Sequence, residues 1–174
     1  YAVEAFEANA IDYILKPFTV DMLLQRITRA LEKRADFFSI HQAMTQGNLR
    51  DAIRICQLGE TKVPRWAGDY QRLRAELHLA LGEAAEAEAI YQQILAIKPL
   101  HWAQLGLGKS QFMQGQLEKA EETLRFLLNS NDKMMSAYDW LARTQQALGN
   151  NGQAQKVLED AVIKSPHMVK RLRR

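Results

Sequence analysis

Apolar residues recur at helical spacing along most of this chain. Val20, Leu23, Leu24, Ile27 and Leu31 share one face of a helix predicted over 20–33, with Thr19 as its N-cap. Leu73, Leu77, Leu79 and Leu81 precede a glycine, and Ile90, Ile94 and Leu95 follow it, which predicts two helices joined by a tight turn. Residues 20–46 contain neither glycine nor proline, so a single helix of 27 residues, about 40 Å long, is expected there. One stretch breaks the pattern. Tyr13, Ile14 and Leu15 form a short apolar run of strand length over 11–16 that stops at Lys16-Pro17, after helical composition over 2–9.

The polar and small residues carry a longer period. "AMTQGNLRDAIRI", "HLALGEAAEAEAI", "QFMQGQLEKAEET" and "QQALGNNGQAQKV" align on Gly47, Gly82, Gly115 and Gly149, spaced by 35, 33 and 34 residues. Five residues after each glycine stands an alanine: Ala52, Ala87, Ala120 and Ala154. Twelve residues further, Pro64, Pro99 and Pro166 occupy three of the four places and Asp132 the other. Glycine closes a helix by accepting the left-handed conformation, alanine lets a second helix approach closely, and proline ends that helix. Each unit is therefore a helical hairpin that buries its apolar face only by stacking on its neighbours.

This pattern resembles the tetratricopeptide repeat. The four units run over 33–66, 68–101, 101–134 and 135–168, leaving 169–174 as a basic tail or the start of a further helix. Leu107-Gly108 and Leu141-Ala142 fill the family's small-residue pair, and Tyr91 fills an aromatic place. The family's tryptophan is replaced by Asp36, Gln71, Gln104 and Tyr138, and Cys56 and Gly59 make the first unit depart most. The resemblance implies an all-α right-handed superhelix whose first helices line a concave groove for a protein or peptide ligand. Its groove positions fall on Phe37, His41, Met44, Arg72, Glu76, Leu79, Trp102, Leu105, Lys109, Phe112, Met113, Asp139, Arg143 and Gln146. The Lys/Asn set that clamps a terminal carboxylate in some members is not reproduced.

Residues 1–33, read as helix, strand and helix, resemble the C-terminal end of a receiver domain of bacterial response regulators. In that resemblance Lys16 takes the place of the lysine that contacts the phosphoryl group, Pro17 follows it, and Tyr13 takes the place of the aromatic switch. The family's phosphoacceptor aspartate and acidic pair have no counterpart in the sequence. The chain is thus expected to be a fragment of a longer regulator in which the 20–46 helix joins receiver to repeats. That helix, with the segment before it, is also a candidate homodimer seam, since 20, 24, 27, 31 and 38 follow coiled-coil steps interrupted by Arg34.

Composition narrows the functions further. The charged share is 25% and the net charge +3. Without Lys170, Arg171, Arg173 and Arg174 the balance is 19 basic against 20 acidic residues, which is no footprint for nucleic acid. The single cysteine, Cys56, excludes an internal disulfide and fits a reducing compartment, with the cytoplasm as default. No apolar run reaches the ~20 residues of a membrane span. His41, His78, His101 and His167 lack metal-ligand spacing, and "GLGKS" at 106–110 lacks a preceding strand, its glycines falling at helix-packing places. No catalytic residue, metal or cofactor is expected. The sequence reads as the non-enzymatic protein-interaction output of a two-component phosphorelay. An oligomerisation scaffold and, behind it, a nucleic-acid-binding output are the alternatives.

Overall fold

The structure is a computed structural model that describes residues 19–164. Tyr13, Lys16, Pro17 and the 11–16 strand lie outside the described residues, as does the tail over 169–174. The chain divides between Gly47 and Asn48 into two compact units, and each is described by itself. In the first, the helix α1 runs without interruption over Val20–Thr45, through the polar 32–36 stretch. Thr19 caps it, its hydroxyl accepting from the Met22 N–H at 3.2 Å. Val20, Leu24, Ile27 and Leu31 are exposed along it, whereas Phe37, Ile40 and Ala43 are buried.

The second unit holds α2 (Leu49–Lys62), a 3-10 turn (Pro64–Trp66), α3 (Ala67–Ala80), α4 (Ala84–Ile97), α5 (His101–Met113), α6 (Leu117–Ser130), α7 (Met135–Ala147) and α8 (Asn151–Lys164). Successive helices pack on one another, and α5 additionally touches α3 and α7. The helices α3, α5 and α7 thereby form one row, with α2, α4, α6 and α8 following them in alternation.

The turn chemistry is that expected from the glycines. Gly82, Gly115 and Gly149 have φ of 78°, 74° and 80°. After each, a backbone N–H reaches back to close the helix: Glu83 to the His78 carbonyl, Gln116 to Gln111 and Asn150 to Gln145, at 2.8–2.9 Å. This is the six-to-one bond of a Schellman ending, and it lets the next helix start at once without a side-chain cap. A Cβ on Gly115 would meet nothing within 4 Å, so only the backbone opposes substitution. Gly115→Ala is expected to cost about 1–2 kcal/mol in urea unfolding, the strain of a left-handed alanine, and Gly115→Asn less.

The alanines after the turns sit where helices cross. Ala52, Ala87 and Ala120 are fully buried and Ala154 is 2% exposed. The second unit holds two apolar clusters, the first including Ala87. One joins Ala75, Ala87, Ile90, Tyr91, Ile94 and Ala103 across α3, α4 and α5. The other joins Leu124, Leu127, Ala137, Tyr138, Leu141 and Val157 across α6, α7 and α8. Where the repeat lacks its proline, Asp132 is fastened instead. Its carbonyl accepts from the Tyr138 hydroxyl at 3.1 Å and its carboxylate pairs with Lys164 at 2.6 Å. Lys164 holds that carboxyl below its usual range. Between α2 and α3, Arg74 donates to both oxygens of the half-buried Glu60, at 2.6 and 3.2 Å.

Candidate partner-binding groove

A groove of about 390 Å³ opens along the α3–α5–α7 row. From α3 it takes Arg72, Glu76 and Leu79, and from α5 Trp102, Leu105, Lys109 and Met113. All seven belong to the positions expected from the sequence. Helical periodicity explains this: 72, 76 and 79, like 102, 105, 109 and 113, step by three and four residues along one face.

Two aromatic rungs organise the groove. In the first, the Arg72 guanidinium lies 5.0 Å from the Trp102 ring centroid and donates to Glu76 at 3.0 Å. Trp102 meets Tyr91 edge to face at 6.4 Å and 71°. Tyr91 comes from α4, beneath the row, and is 2% exposed. Burial, helped by Glu76 and opposed by Arg72, pushes its hydroxyl up to about 12, so the ring stays neutral and apolar at ordinary pH. In the second rung, Trp140 of α7 packs edge to face on Phe112 at 5.4 Å. Lys109 and Arg143 both lie against Trp140, 5.6 and 5.0 Å from its centroid. Such contacts hold long cationic side chains over a ring while leaving their N–H donors toward water.

The helices come this close because α5 is thinned by glycine. A Cβ on Gly106 would overlap the Tyr91 ring, and one on Gly108 would lie 2.9 Å from Leu124. Ser110 and Thr144, both buried, return their hydroxyls to their own helices, donating to the Gly106 and Trp140 carbonyls at 2.8 Å.

The other expected positions are not among the residues that line the groove. Phe112 and Asp139 are half-buried, and Arg143 and Gln146 are exposed on α7. On α1, described by itself, His41 is exposed but Phe37 is only 6% exposed, its aromatic ring being covered rather than open. Trp140 was not among the expected positions. Cys56 is fully buried, and burial pushes its thiol up to about 12. It is expected to give no reaction with a thiol reagent at pH 8 in the native protein and a full reaction after unfolding. Fast native labelling would show the site to be open.

Among the described residues no group of three or more histidine, cysteine, aspartate or glutamate side chains could hold a metal, and no helix is long and apolar enough to cross a membrane.

Residues 78–139 match the tetratricopeptide repeat family model. Solved structures agree on the fold. A crystal structure of MamA aligns with 72% of this chain and 73% of its own, at TM-score 0.62 and 18% identity. A thermophilic tetratricopeptide-repeat protein of Thermus thermophilus aligns with 76% of this chain and 74% of its own, at TM-score 0.63 and 16% identity. A MamA RS-1 ArsTM double mutant aligns with 76% and 75%, at TM-score 0.64 and 14% identity. At such identities the likeness concerns the tetratricopeptide-type fold alone. No curated protein matches the chain in sequence.

Proposed function

We propose that this chain is a protein-interaction module that holds a partner segment in the groove along α3, α5 and α7. The observation that carries this reading is the groove itself: Trp102, Leu105 and Met113 beside Lys109 and Arg143, an apolar floor with a charged rim. The tetratricopeptide-type fold supports it, because such hairpins offer one extended face and no catalytic constellation is built on it among the described residues.

The groove is tested by placing a photo-crosslinking residue at Met113, which is 45% exposed in it, or at Phe126 on α6, which is 61% exposed outside it. Adducts from Met113 and none from Phe126 are expected in cells that express the chain. Equal adducts, or adducts from Phe126 only, would move the interface to the other row. Adducts at twice the mass of the chain would favour the scaffold reading.

The finer reading is that the module serves a two-component regulator, with α1 carrying a signal from a receiver domain. Its support is the sequence resemblance of residues 1–33 and the unbroken run of α1 from Val20 to Thr45. Ala35, exposed in mid-helix, is the place to break it. In a protein bearing a whole receiver, Ala35→Pro is expected to leave partner binding intact and abolish its dependence on phosphorylation. Persistent dependence would show that α1 does not transmit.

A further inference from the structure

The geometry points to a partner segment that carries an acidic side chain about three residues from a large apolar one, the acid on Lys109 and Arg143 and the apolar residue on Trp102 and Leu105. This rests on the groove reading above and adds the chemistry of the ligand.

The charges of the two rungs differ. On the first, Arg72 is already matched by Glu76 at 3.0 Å. On the second, Lys109 and Arg143 converge on Trp140, and neither is hydrogen-bonded or ion-paired to a carboxylate among the described residues. Asp139, half-buried, stands one turn before Arg143 on the same helix, and Glu76, which pairs with Arg72, lines the same groove as Lys109, so among the described residues three cations face two acids there. A guanidinium and an ammonium held over one ring keep their donors open and are matched by a carboxylate. The first rung offers the complement, an apolar platform of Trp102, Leu105 and Leu79.

Spacing ties the two together. Trp102 and Lys109 stand seven residues apart on α5, about 10 Å along its axis, and an extended chain advances ~3.3 Å per residue. About three residues therefore span from the Trp102 platform to the Trp140 cations. Two open cations on an apolar floor suit one carboxylate better than a nucleic-acid backbone, which needs a longer basic track.

The test is a selection on the full 174-residue chain. The probe is a library of random 12-residue peptides displayed through their C-termini, which excludes terminal carboxylates. Peptides with Asp or Glu two to four residues from Leu, Ile, Phe or Trp are expected to be enriched. Lys109→Gln with Arg143→Gln should weaken them about tenfold or more, and Trp102→Ala should weaken them separately. Helical circular dichroism checks each variant. If the double variant does not fold, Arg143→Gln alone, at an exposed position, is used. Enriched peptides that need Trp102 but carry no acid would overturn the acidic subsite and leave the groove reading standing. Peptides indifferent to all three substitutions, or no enrichment, would overturn both. Enrichment only in a parallel library with free C-termini would assign the site to a terminal carboxylate. Tighter binding of a 12-nucleotide oligouridine would assign it to nucleic acid. Either result would overturn the proposal.

Discussion

Replacing Leu124 by alanine is expected to lower the unfolding free energy by about 3–4 kcal/mol. Leu124 is fully buried in the cluster shared by α6, α7 and α8, and on its other side its methyls reach the bare backbone of α5 at Gly108. Removing it leaves a cavity whose wall is helix backbone, which cannot collapse inward as a side chain can. Phe126, two residues on, is 61% exposed, and its alanine variant should change stability by less than ~0.5 kcal/mol. Urea unfolding of the pair, with unchanged m-value, is the measurement. Equal effects would mean that α6 does not present Leu124 inward.

Gly106→Ala is expected to destabilise by about 1–3 kcal/mol, although alanine gains up to ~1 kcal/mol over glycine in an isolated helix. The added methyl would overlap the Tyr91 ring, which is 2% exposed and edge-on to Trp102, so any retreat of the ring displaces the groove floor. Gly152, in α8, supplies the opposite case. A Cβ there meets nothing within 4 Å, and Gly152→Ala should stabilise by a few tenths to about 1 kcal/mol. Opposite signs from the same chemical change would isolate the contact with Tyr91 from helix propensity. Tryptophan emission, to which Trp102 contributes beside Trp66 and Trp140, should shift only in the Gly106 variant.

Much of the second unit is legible in the sequence because its determinants are local. The left-handed glycines, the buried alanines five residues later and the helix endings before Pro64 and Pro99 each depend on a few adjacent residues. Asp132, which stood only as the missing proline, is held through Tyr138 at the start of the next helix and through Lys164, 32 residues on, so its role could not be seen there. Trp140 escaped for a similar reason. Its partners Phe112 and Lys109 come from α5, and single-helix periodicity does not report convergence between helices.

Because each helix in the second unit packs chiefly on the next one in sequence, its loops close over short distances and no remote segments must find one another. Low contact order of this kind gives fast folding, and hairpins can dock in the order in which they leave the ribosome. The same topology lets hairpins open singly on heating rather than all at once. A ligand lying across α3, α5 and α7 would join steps that otherwise melt one by one, and its binding would appear as a sharper transition as well as a higher midpoint.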